Sequence, residues 1–85
     1  MLAVAPVDQA RVIEIGCGDG RLTWKYASLA RAVLAIDADR TSVAAAQATL
    51  RGMRLPSRVD FAQATAESLP ARRESFDLAI FAWSL

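Results

Sequence analysis

Gly16, Gly18 and Gly20 stand at alternate positions directly after the short, mostly apolar run Arg11 to Ile15. Glycines so spaced let the backbone take dihedrals closed to other residues and let a ligand come close to the main chain. From Val12 on, the run before them is apolar apart from Glu14, so it reads as a strand buried on both faces, which is the habit of a parallel sheet. A parallel strand needs a crossover, and the segment after the glycines supplies one. Gly20 to about Ala30 carries Leu22, Tyr26 and Leu29 at i, i+4 and i+7, the spacing of a helix face. A chain that leaves a buried strand through a glycine bend and enters a helix is committed to an α/β fold.

The same unit then recurs. Ala32 to Ile36 is a second buried strand, halted at Asp37. Asp39 or Thr41 can cap the next helix, in which Val43, Ala46, Leu50 and Met53 form one apolar stripe. Gly52 sits where a left-handed residue would end that helix, and Pro56 forbids its continuation. Arg58 to Gln63 reads as a third strand and Phe76 to Trp83 as a fourth, with the sequence ending at Leu85. There are no repeats and no linker, so residues 1–85 are expected to form one domain. A chain of this size buries only roughly 60% of its unfolded surface, which makes its stability marginal.

Composition narrows the chemistry. With one cysteine, Cys17, and no histidine, internal disulfides, the usual zinc sites and histidine-based triads are excluded. Ten basic and nine acidic residues give a net charge of +1 with scattered arginines, which is no footprint for nucleic acid. The apolar start, Met1 to Val7, lacks a basic flank and meets Asp8, so it is a poor signal peptide. No apolar run reaches the roughly 18 residues that a membrane span needs. A soluble, cytoplasmic setting is the expectation.

The glycine bend joins the carboxyl end of a parallel strand to a helix start, and ligands of open α/β sheets bind at that end. A helix start there would add free N–H groups and partial positive charge suited to an anion. The dinucleotide fingerprint places its third glycine where this chain has Arg21, and a phosphate-binding P-loop would need Gly-Lys-Ser/Thr. A nucleotide-binding oxidoreductase is therefore disfavoured, and a tight turn with no ligand stays open as a purely structural reading.

Four stretches together carry a more specific likeness. Glu14-x-Gly16-x-Gly18-x-Gly20 resembles motif I of class I S-adenosylmethionine-dependent methyltransferases. Val33 to Asp37 resembles that family's second strand with its terminal acid, Phe61 to Pro70 its third-strand motif, and Ser75 to Ile80 its fourth-strand entry. The likeness is greatest to the small-molecule branch that includes ubiquinone-biosynthesis-type enzymes. It implies a Rossmann-like three-layer α/β fold with a mostly parallel sheet, truncated after the fourth strand, in the order 3-2-1-4.

It also implies roles for particular residues. Gly16, Gly18 and Gly20 would pass beneath the methionine and ribose portions of S-adenosylmethionine, with Cys17 as a small filler between them. Glu14 would meet the cofactor's ammonium, directly or through water. Asp37 would accept bonds from both ribose hydroxyls, beside Ala38. Thr65 and Ala66 would read the adenine, although the family commonly has Asp at the position of Thr65. A hydroxyl lacks charge assistance, a difference of about 1 kcal/mol. Leu69 would pack on the adenine or plug the core. Phe81 and Ala82 would face the methionine part, Trp24 and Trp83 would line the pocket mouth or the core, and Asp77 would serve the site or simply brace the strand entry.

No catalytic base and no metal ligand is identifiable. The expected activity of the parent is methyl transfer to a small-molecule acceptor, with the 85-residue chain inactive by itself. The alternative is a non-catalytic S-adenosylmethionine- or nucleotide-binding module, a degenerate remnant. A bare fourth strand would also be a template for self-association through Phe76 to Trp83.

Overall fold

The computed structural model describes residues 7–68 and 75–82. Four parallel strands form one sheet in the order β3-β2-β1-β4, as the resemblance implies. They are β1 (Arg11–Ile15), β2 (Ala32–Asp37), β3 (Arg58–Gln63) and β4 (Leu78–Phe81). Among the described residues the helices include α1 (Thr23–Tyr26) and α2 (Arg40–Arg51), and a 3-10 turn spans Ala66–Ser68.

Alternation along the strands sends Val12, Val33, Ala35, Val59, Phe61 and Ile80 into one core with Tyr26, Ala27, Val43 and Ala46. Ala46 lets α2 lie close to the sheet, while the branched strand residues supply the apolar area. A side chain such as fully buried Val12 contributes roughly 1.5–3 kcal/mol. Trp24 meets Phe61 edge to face at 5.2 Å between ring centroids, so this tryptophan belongs to the core side of α1. Trp83 and Leu69 lie outside the described residues.

Helix α2 follows the expected pattern at its start. Asp39 caps it, accepting from the Ser42 hydroxyl at 2.5 Å and the Ser42 amide at 3.2 Å, and these bonds, the hydroxyl's foremost, hold the Asp39 carboxyl below its ordinary pKa. Its end differs from expectation. Gly52 has φ −90° and ψ 0°, so it is right-handed, and its N–H returns to Thr49 and Leu50 carbonyls in a tightened last turn. The first helix is also shorter than its periodicity suggested. Only Thr23–Tyr26 are helical, because the residues before them complete the glycine bend and those after them turn towards β2.

Register decides what lies where. Ile15 pairs with Ile36 on one side and Phe81 on the other, and Asp37 pairs with Gln63. The carboxyl ends of all four strands therefore converge beside Gly16 and Asp37. At the opposite end Arg11 clamps Asp77: its Nε and Nη2 donate to the carboxylate at 3.2 and 3.1 Å, and its amide donates at 2.9 Å. These bonds hold the Asp77 carboxyl below its ordinary pKa. Asp77 is thus a strand-entry brace at the far edge from the glycine bend.

Candidate functional site

The bend is tied to its neighbouring strand. Gly16 and Cys17 donate their N–H groups to the Ile36 carbonyl at 2.9 and 3.0 Å, and Gly18 donates to Asp37 Oδ2 at 2.8 Å. Gly20 closes the turn by donating to the Cys17 carbonyl at 3.0 Å. The three glycines have φ of +81°, +57° and +97°, a region that L side chains rarely enter. Two of them are needed for different reasons. A Cβ on Gly18 would meet nothing within 4 Å, so its missing side chain leaves an open cradle. A Cβ on Gly20 would come within 2.9 Å of the Trp24 ring, so this glycine is required for packing.

Two crevices flank the bend and share Gly16. The first, about 330 Å³, gathers Asp37, Ala38, Thr65 and Ala66 with Glu67. The second, about 520 Å³, gathers Cys17, Gly18 and Ala82 with Asp19, Arg21 and Lys25. Most of the residues singled out from the sequence are therefore brought together around one bend. Asp37 is held for use. Its Oδ1 accepts from the Asp39 amide at 2.8 Å and its Oδ2 from Gly18, which orients the carboxylate while leaving lone pairs for further donors.

Glu14 departs from the expected ammonium contact. Its side chain is 0% exposed, lines neither crevice, and turns under the bend to accept from Thr23 Oγ1 at 2.6 Å and Tyr26 Oη at 2.5 Å. Among the described residues its Oε2 has no hydrogen-bond partner. Burial raises its pKa, against the two hydroxyl bonds that lower it. Glu14 is thus a strut between β1 and α1, because an even position on β1 faces the helices and not the crevices.

Three further placements qualify the expectations. Burial, followed by the nearby Glu14 and Asp37 charges, pushes the Cys17 thiol up to about 12, so at neutral pH it is a protonated filler and no nucleophile. The Thr65 hydroxyl is engaged with Ser68, 2.9 Å away, capping the 3-10 turn, so its availability to an adenine is reduced. Phe81 lines neither of the two crevices; with Ile13, Ile15 and Phe76 it borders a third, about 250 Å³, on the other face of the sheet. Alternation explains this, since Ile80 and Phe81 must face opposite sides. The short α1 likewise gives the bend no helix-dipole site, and four of its N–H groups already donate within the protein.

Sequence reasoning passed over Asp19, Arg21, Lys25 and Glu67, the charged residues lining the crevices besides Asp37. A signal existed for Arg21 and Lys25, which are four apart and share a helical face. Among the described residues, no group of three or more His, Cys, Asp or Glu could hold a metal, and no helix is long and apolar enough to cross a membrane.

Residues 12–85 match the family described as the methyltransferase domain. A ubiquinone biosynthesis O-methyltransferase from Sinorhizobium medicae is 35% identical over 75 residues, covering 88% of this chain and 29% of that protein. A solved S-adenosylmethionine-dependent methyltransferase from Mesorhizobium loti superposes with a TM-score of 0.73 at 26% identity, over 89% of this chain and 33% of the other. The 4+2 cyclase SpnF superposes with a TM-score of 0.76 at 32% identity, over 89% of this chain and 30% of the other. The chain thus spans about three-tenths of the length of the curated relatives that it matches.

Proposed function

Because this chain belongs to the methyltransferase domain family, we propose that it is the cofactor-binding portion of an enzyme that moves a methyl group from S-adenosylmethionine to a small-molecule acceptor. The solved Mesorhizobium loti relative is S-adenosylmethionine-dependent, and the crevices fit an adenosyl ligand in three respects. Gly18 leaves an open cradle, Asp37 is a pre-oriented carboxylate at a strand tip, and the two hollows meet at Gly16. The observation that carries the reading is the Asp37 carboxylate. Two backbone N–H groups at 2.8 Å hold it on the lip of the crevice, where a vicinal diol can donate to its remaining lone pairs.

Under this reading Asp37 grips the ribose, Ala38, Ala66 and Glu67 border the adenine, and Gly16 and Gly18 run beneath the link to the methionine arm. Cys17 and Ala82 wall that arm on the larger side. The sulfonium supplies an activated methyl carbon with a good leaving group. The chain's part is orientation, worth several kcal/mol when an acceptor and a donor are held in line. Glu14, Thr23 and Tyr26 act at one remove by fixing β1 against α1 under the bend. The ubiquinone biosynthesis O-methyltransferase relatives point to a hydroxyl oxygen of a small molecule as the acceptor class.

Titration calorimetry with S-adenosylhomocysteine and with NAD tests the assignment. Binding of the homocysteine thioether but not the dinucleotide is expected. Binding of NAD alone would overturn it.

A further inference from the structure

Asp19 stands directly before Gly20 in the bend, and no other acid in the chain precedes a glycine. The chain has no asparagine either. An aspartyl side chain is open to attack by the main-chain nitrogen of the next residue, and a Cβ on that residue hinders the approach. Gly20 has none.

The bend exposes the electrophile and only lightly restrains the nucleophile. The Asp19 side chain is 49% exposed and lines the larger crevice. Its pairing with Arg21 is loose, Nε to Oδ2 at 3.6 Å, and that arginine is 91% exposed, so the pair does little to hold the carboxylate. The Gly20 N–H donates to the Cys17 carbonyl at 3.0 Å. Releasing one hydrogen bond of ordinary net strength slows an attack by roughly two- to thirteenfold, whereas unfolding a domain first slows it by roughly a thousandfold or more. The carboxylates of Asp37, Asp39, Asp60 and Asp77, by contrast, accept hydrogen bonds and precede residues that carry a Cβ.

We infer that the link from Asp19 to Gly20 is a modification site, at which aspartate becomes isoaspartate through a cyclic imide without any enzyme. The Gly20 nitrogen bonds to Asp19 Cγ and loses its proton, and the carboxyl hydroxyl departs with that proton as water. Water then opens the five-membered ring. Cleavage between the nitrogen and the Asp19 main-chain carbonyl routes the chain through Cβ and Cγ and leaves the α-carboxylate as the side group. The water lost in the first step is regained in the second, so no other reactant is needed. The path from Gly18 to Gly20 is then one bond longer. The Gly18 donation to Asp37 at 2.8 Å and the Gly20 donation to Cys17 cannot both survive that unchanged. The inference stands on the bend itself and does not depend on the cofactor reading.

Peptide mapping tests it. The 85-residue chain and a synthetic peptide of residues 12–21 are incubated for weeks in mildly acidic buffer. Trypsin then releases residues 12–21 from the chain, since Arg11 and Arg21 flank them. A second form of this fragment, equal in mass and resistant to a protease that cuts before aspartate, should accumulate, preceded by a form lighter by one water. Its rate should be roughly two- to thirteenfold below that of the free peptide. Asp19→Asn should convert faster, forming the same imide by loss of ammonia. Asp19→Glu should lose the second form altogether, because its imide ring would have six members. The side chain is half-exposed, so both variants are expected to fold, which a thermal melt checks. A folded chain that yields no second form while the peptide converts, or converts a thousandfold more slowly, overturns the inference. So does a second form that persists in Asp19→Glu, which would place the chemistry elsewhere.

Discussion

Replacing Asp37 with alanine removes four potential bonds at once, two seen and two inferred. The seen pair are the acceptances from Gly18 and Asp39 amides, both 2.8 Å, which pin the bend and the turn before α2. Hydrogen bonds to charged groups contribute roughly 1.5–3 kcal/mol when well shielded, and Asp37 is only half-buried. A stability loss of about 1–2 kcal/mol follows, or about 4–16 °C in Tm for a domain of this length. The inferred pair are the ribose hydroxyls. Losing their charged acceptor should weaken adenosyl binding by roughly 1.5–3 kcal/mol, about ten- to 150-fold in Kd. The two effects are separable by a double cycle that pairs wild type and Asp37→Ala with adenosine and 2′-deoxyadenosine. Deleting the 2′-hydroxyl should cost the wild-type protein affinity and cost the variant almost nothing. Calorimetry at low temperature, where the variant melts cooperatively and is folded, reads both. If wild type and folded variant discriminate the two nucleosides equally, Asp37 does not hold the ribose, whatever the variant does to stability.

The glycines should part company under mutation. Gly20→Ala places a Cβ within 2.9 Å of Trp24 and a side chain at φ +97°, so a loss of about 1–3 kcal/mol in thermal stability is expected. Gly18→Ala meets nothing within 4 Å, and in denaturant melts it should cost no more than the roughly 1 kcal/mol of a left-handed alanine while weakening ligand binding more. Glu14 predicts a pH dependence of definite sign. Its folded pKa is raised by burial, so its contribution is fully present below the ordinary glutamate range and is lost as pH climbs through the raised value. The Tm difference between wild type and Glu14→Gln should therefore fall with rising pH from that range upward; a difference that stays level or grows would refute the buried, hydrogen-bonded acid.

The backbone plan could be read from the chain because it rests on short-range signals. Apolar runs of strand length, a capping Asp39 and a stop at Pro56 each state their meaning locally, and the strand order came from resemblance. Two departures from expectation share one physical root, and a third has its own. Glu14 was read as facing the ligand and Phe81 as lining the methionine arm, yet the side of the sheet a strand residue faces depends on which face the helices cover, and that is a tertiary fact. Gly52 was given a left-handed φ by its residue type, whereas a tightened last turn satisfied the same carbonyls without it. Asp19, Arg21 and Lys25 carried no motif, and only the closure of the turn brings them to one hollow.

The bend leans on β2 for its form. Its first three amides hang from Ile36 and Asp37, residues some twenty positions away along the chain, and it has few bonds of its own. A ligand arriving there finds a rigid socket and forfeits little freedom in shaping it. The same tether makes the socket hostage to alignment. Slipping β1 by one residue against its neighbour would carry the amides away from the carboxylate and dismantle the grip with every glycine still in place.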